Sequence, residues 1–130
     1  MSQVVHPKVK RIEAILPQLR AMPQVECTEK HYFGPGMYVK EVTMPAGSII
    51  VGKPHKTEHL CVMLQGRMEL LKDNGEVVEL VAPATFVGKP GRKVARIIET
   101  VVFQNIFATD ETDVEKLENM FVENPLLEGN

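Results

Sequence analysis

Two histidines four residues apart, His55 and His59, are the side chains in this sequence whose type and spacing best suit chemistry. A neutral imidazole can ligate a transition metal, carry a proton or donate a hydrogen bond. Alternate side chains of a strand share one face. If His59 opens a strand with its side chain inward, Cys61 and Met63 point inward too, and Leu60, Val62 and Leu64 face the outer packing layer. His55 lies an even number of positions before His59 and shares its face if the strand runs through it. Glu58 has the opposite parity and reaches the same place only through a bulge. Two imidazoles could then bind one divalent transition metal, provided a third or fourth ligand arrives from elsewhere. The alternative is that both histidines are hydrogen-bonding residues lining an interior.

The elements that must position them follow from the pattern of apolar residues and turns. One hundred and thirty residues suit one domain, 44% apolar and 25% charged, with a formal net charge of −2 and a pI near 6.1. Such a balance gives no overall case for nucleic-acid or membrane binding. Residues 7–22 place Val9, Ile12, Leu16 and Leu19 at helical spacing behind Pro7, with Pro17 expected to kink or divide the helix. A short strand is expected near 30–33. From residue 37 the pattern is β: strands at 37–44, 48–51, 59–64, 67–72, 76–81, 83–87, 93–98 and 101–108. Asp73-Asn74-Gly75 predicts a type I′ hairpin. Thr112-x-x-Glu115 predicts a capping box for a helix over 113–122. Many short strands between glycine and proline turns point to a sandwich or barrel, about 30–108, with helical extensions at both ends.

The run Gly47-Ser-Ile-Ile-Val-Gly-Lys-Pro-His55-Lys-Thr-Glu-His59-Leu-Cys-Val-Met-Leu-Gln-Gly66 resembles the first motif of the cupin superfamily, usually Gly-x5-His-x-His-x3/4-Glu-x6-Gly. Anchored on Gly66, the resemblance puts His59 at the family's glutamate, His55 at its second histidine and Lys53 at its first. A second motif, Gly-x5-Pro-x-Gly-x2-His-x3-Asn, is comparable with the region Pro83–Val94, with Lys93 or a near neighbour at its histidine. Phe33-Gly-Pro-Gly-Met-Tyr38, Met44-Pro-Ala-Gly47, Pro83-Ala-Thr-Phe86 and the closing segment 110–118 resemble small cupin-like proteins of phages and prophages. The resemblance implies a mainly β, single-domain double-stranded β-helix (a small jelly-roll barrel), whose lumen holds a metal or a small ligand.

A barrel of that kind would gather Lys53, Lys56, Arg67, Lys89, Arg92, Lys93 and Arg96 around its mouth and lumen. Val94, Arg96 and Ile98 share one strand face; Lys93, Ala95 and Ile97 share the other. Lys93 and Arg96 therefore cannot both turn inward without a bulge. Whichever does, with Lys53, His55, His59 and Arg92, makes a basic pocket suited to phosphate or carboxylate. The plain alternative is that Gly88-Lys-Pro-Gly-Arg-Lys93 is an exposed loop with solvated charges. Met37, Met44, Met63 and Met68 are expected to fill core gaps. Glu69, Glu76 and Glu79 are expected on the solvated face of a hairpin. Cys27 and Cys61 have no metal or disulfide spacing and read as reduced thiols. No signal core or membrane-length apolar run is seen, so the protein is expected in the cytoplasm, the host's if phage-encoded.

The function expected is a non-enzymatic, homo-oligomeric binding protein that needs no cofactor. It would hold a small anionic ligand, a nucleotide or a carboxylated metabolite, in a basic lumen, as a phage protein would to sequester a host signalling molecule. One alternative is a metal-dependent oxygenase or isomerase using His55 and His59. The other is an accessory phage structural protein.

Overall fold

The computed structural model describes residues 27–52, 54–72, 74–91 and 93–122. The helix expected at 7–22 lies outside them, as do Lys53, Asp73 and Arg92. The chain forms β1 (Thr28–Gly34), β2 (Met37–Met44), β3 (Ile49–Val51), β4 (His59–Lys72), β5 (Val77–Val81), β6 (Ala84–Gly88), β7 (Lys93–Ala108) and α1 (Val114–Phe121).

All pairings between these strands are antiparallel, in the order β1-β2-β7-β4-β5, with β3 on β7 and β6 on β4. Two strands are long enough to serve both walls of the barrel. The first half of β4 and the second half of β7 pair with each other and with β6 and β2. Their other halves pair with each other and with β5 and β3. The pairs expected at 59–64 and 67–72, and at 93–98 and 101–108, are thus continuous strands. The register of β4 against β7 shifts between Met63 and Met68, around Gly66. Gly66 has φ +94°, and a Cβ there would lie 2.2 Å from the Thr100 carbonyl oxygen. Only glycine permits that crossing.

Alternation along the strands sets the interior. Met44, Met63, Met68, Leu70, Ala95, Ile97 and Val101 form the main buried cluster, and Tyr38, Phe107 and Leu117 a second one under α1. Met37 is an exception to the core expected for it: it is 49% exposed, because its parity in β2 is opposite to that of Tyr38 and Met44. The outer face keeps an apolar row in register across five strands, Val87–Leu60–Ile106–Val39–Tyr32. Glu69, Glu76 and Glu79 lie on the solvated side, paired with Arg96, Lys72 and Arg67.

Two local expectations are corrected. The β4–β5 hairpin is not type I′. No described non-glycine residue, Asn74 included, has positive φ, Gly75 takes φ +84°, and Lys72 N–H donates to the Glu76 carbonyl across a three-residue loop. A three-residue loop needs one left-handed residue, and Asn74 instead accepts the Glu76 N–H with its side chain. The cap of α1 is Asp113, not Thr112. The Asp113 carboxylate accepts from the Glu115 and Lys116 N–H groups, while the Thr112 N–H donates to Glu111. No helix among the described residues is long and apolar enough to cross a membrane.

Candidate ligand site in the barrel lumen

Strand register brings the site together. On the inner face of the first wall, Phe86, Cys61, Asn105 and Lys40 lie side by side on β6, β4, β7 and β2. The adjacent rung carries Gly88 beside His59 and Phe107 beside Tyr38. The expected parity of β4 is observed: His59, Cys61 and Met63 are buried, whereas Leu60 and Leu64 are about half exposed. His55 is not part of β4. It makes isolated bridges to Gly91 and Val122, yet its ring still comes to 4.5 Å of the His59 ring, centroid to centroid.

α1 lies over this end of the barrel. Leu117 is buried against Tyr38 and Phe107, and Phe121 stacks on Phe107 at 4.4 Å. Lys56 donates from its backbone N–H to Phe121 O and from Nζ to Asn119 O. Lys40 Nζ reaches Glu118 at 2.7 Å and Glu29 at 3.5 Å. Beneath the helix is a cavity of about 580 Å³, lined mainly by apolar side chains, with His55, His59, Asn105 and Lys93 among its polar residues.

His59 Nε2 lies 2.8 Å from Asn105 Oδ1 and 3.3 Å from Cys61 Sγ. An amide oxygen only accepts, so Nε2 carries the proton and donates to it. That commitment has two consequences. A protonated Nε2 has no lone pair for a metal, and it cannot take the proton of the Cys61 thiol. Burial pushes that thiol up to about 11, against the opposing pull of Lys93 and the Gly88 backbone, so it remains a thiol at neutral pH. Burial, seconded by His59, Lys93 and Lys40 and opposed by Glu118, lowers His55 to about 4. His55 is therefore a neutral imidazole, and its buried Nδ1 has no hydrogen-bond partner among the described residues. Burial also lifts the Tyr38 hydroxyl to about 12, with Glu118 and Glu29 adding to it; its oxygen lies 2.7 Å from His31 Nδ1.

Among the described residues, the donor set does not fit a transition metal. No three His, Cys, Asp or Glu side chains among the described residues are grouped to hold one, and His59 Nε2 is given to Asn105.

Of the basic residues expected at the site, Lys93 lines the cavity and its Nζ donates to Lys89 O at 2.9 Å. Ala95 and Ile97, which share its face, are buried. Arg96 takes the other parity; its side chain is 70% exposed and pairs with Glu69 at 3.1 Å. Lys89 is likewise at the surface, paired with Glu58. Lys53 and Arg92 lie outside the described residues. Among the described residues, the lining sets Lys40 and Lys93 against Glu29 and Glu118.

Sequence reasoning missed Lys40, Asn105 and Phe121. Lys40 alternates with Tyr38, Val42 and Met44, and Asn105 sits between Phe103 and Phe107 in the same alternation. A polar residue at an inward position of an apolar strand was the available signal in both.

No family model matches the chain, and no curated protein does. Solved structures do. A conserved protein with a double-stranded β-helix domain from Klebsiella pneumoniae is similar at 17% identity and TM-score 0.55, over 75% of this chain and 84% of that one. A cupin domain from Bordetella pertussis is similar at 17% and 0.53, over 68% and 99%. The cupin domain of an XRE-family transcriptional regulator from Enterobacter cloacae is similar at 17% and 0.51, over 62% and 93%. With two antiparallel walls sharing β4 and β7 around a lined lumen, the chain has the cupin-type double-stranded β-helix fold.

Proposed function

We propose that this protein is a non-enzymatic binding protein that holds a small carboxylated molecule in the lumen. The observation that carries the reading is the convergence of Lys93, His55, His59 and Asn105 on a largely apolar cavity of about 580 Å³, the common composition of a small-molecule site. Lys93 supplies one positive charge for an acid group, and the His55 imidazole and the Asn105 amide N–H group supply hydrogen bonds. Lys40 is already engaged by Glu29 and Glu118. Among the described lining residues, Lys40 and Lys93 stand against those two carboxylates, which favours an acid of low charge over a nucleotide polyphosphate. The described residues offer neither a deprotonated thiol nor a ligand set for Lewis-acid chemistry, which favours binding over turnover. The resemblance to phage-encoded cupin-like proteins supports a role in withdrawing a host metabolite from solution.

Native mass spectrometry followed by thermal unfolding with a panel of small carboxylic acids tests this. An acid that raises Tm in the wild type and loses most of that effect in Lys93→Met supports the reading. Absence of any retained or stabilising acid at millimolar concentration overturns it.

A further inference from the structure

The chain has five phenylalanines, two tyrosines and no tryptophan, and five of those seven rings line the cavity beneath α1: Tyr38, Phe86, Phe103, Phe107 and Phe121. They are not spread around it. Tyr38, Phe86, Phe103 and Phe107 come from β2, β6 and the second half of β7, which form one wall, and Phe121 comes from α1 above it. The opposite wall, from β3 and the other halves of β4 and β7, contributes aliphatic and sulfur side chains, Ile50, Met68, Leu70 and Ala95, together with Lys93.

The rings of the first wall fall into two groups. Phe107 is buried, stacked on His59 at 4.7 Å and on Phe121 at 4.4 Å, so its faces are used within the protein. Phe86 and Phe103 meet each other edge to face at 5.9 Å and 61°, and both stay only half buried although their strand parity turns them inward. Inward and half buried means that ring surface is open to the lumen. A flat molecule lying between these rings and the aliphatic wall would meet aromatic carbon on one face and methyl and methylene groups on the other. Ring-to-ring contact adds attraction beyond burial of the same area, and a rigid plane loses little conformational freedom on binding.

We infer that the carboxylated ligand is a planar aromatic acid, its ring against Phe86 and Phe103 and its carboxylate toward Lys93. This rests on the acid-binding reading above and adds the shape and electronic character of the ligand body.

Matched pairs of acids test the two parts separately, with 2-naphthoate against decahydro-2-naphthoate, and benzoate against cyclohexanecarboxylate, titrated calorimetrically into the full chain. The expected result is tighter binding of each aromatic member, by several-fold to about tenfold. Phe86→Leu and Phe103→Leu should shrink that preference, read as the ratio of the aromatic to the saturated affinity. Equal binding of aromatic and saturated members overturns this inference and leaves acid binding standing. Binding of neither overturns both. The wild-type comparison needs no variant, so a misfolded Phe103→Leu protein would not spare the inference.

Discussion

The two ends of this barrel are built from the same two strands and obey different rules. Away from α1, Met63, Ile97 and Val101 are at most 1% exposed and lie outside the cavity lining. There β4 and β7 cross so closely that Gly66 nearly touches the Thr100 carbonyl. Beneath α1 the same strands splay rings, imidazoles, Asn105 and Lys93 around open volume. Close packing at one end keeps the two walls in register. That register aligns Phe86, Cys61, Asn105 and Lys40 across the other end, where stability has been given up for a lined space.

The sharpest way to break this contrast is a methyl group at each end. Gly66→Ala would put a Cβ 2.2 Å from Thr100 O and 2.8 Å from Glu99 O, both backbone atoms, at φ +94°. Neither partner can step aside, so a loss of more than about 4 kcal/mol is expected, with little folded protein recovered. Gly88→Ala would meet Cys61 Sγ at 2.8 Å and His59 Cε1 at 3.1 Å, both side-chain atoms, and Gly88 is not among the positive-φ glycines. It should cost about 1–3 kcal/mol, leave a folded chain and disturb the His59–Asn105 bond. Urea unfolding of the two variants checks the ranking. Equal losses would mean that the lumen end is packed as tightly as the crossing.

The packed end was largely legible from sequence, because glycine turns, β-branched runs and a two-residue alternation are local signals. The inward sets His59–Cys61–Met63 and Lys93–Ala95–Ile97 follow from parity once a single residue of each is oriented. The choice between Lys93 and Arg96 did not follow, since the alternation fixes their opposition and only the pairing of β3 and β4 with β7 decides which one is inside. The convergence of Lys40, Asn105 and Phe121 was beyond local pattern. Lys40 meets Glu118 across 78 positions of chain, and His59 meets Asn105 across 46. Such contacts exist only after three strands and a helix have taken their places.

Acid should act on the lumen end first. His55 is held at about 4, below its ordinary value near 6.5, chiefly by burial. Between those values the unfolded chain binds a proton that the folded chain refuses, so stability rises with pH across that window and falls as pH drops from about 6.5 toward 4. Because the ring is only partly buried, the loss should be on the order of 1 kcal/mol, on top of whatever the surface carboxylates contribute. His55→Gln should flatten the profile in that window. A variant whose unfolding midpoint follows the wild type at every pH from 7 to 4 would show that His55 is not the group responsible.

The smallest expected effect tests the inside–outside division on a single strand. Lys93 and Arg96 are three residues apart on β7 and both cationic, but one lines the lumen and the other lies on the outer face with Glu69. An exposed ion pair of that kind contributes about 0.5 kcal/mol or less. Arg96→Ala should therefore unfold within about 0.5 kcal/mol of the wild type, and its affinity for a stabilising acid should change by less than twofold. Arg96→Ala also weakens any long-range attraction of the acid, and salt separates that contribution, because attraction over more than a Debye length is screened at about 0.15 M. If Arg96→Ala still weakens binding at that salt as strongly as Lys93→Met does, the two side chains act at one site, and the strand parity that separates the lumen from the surface does not hold along β7.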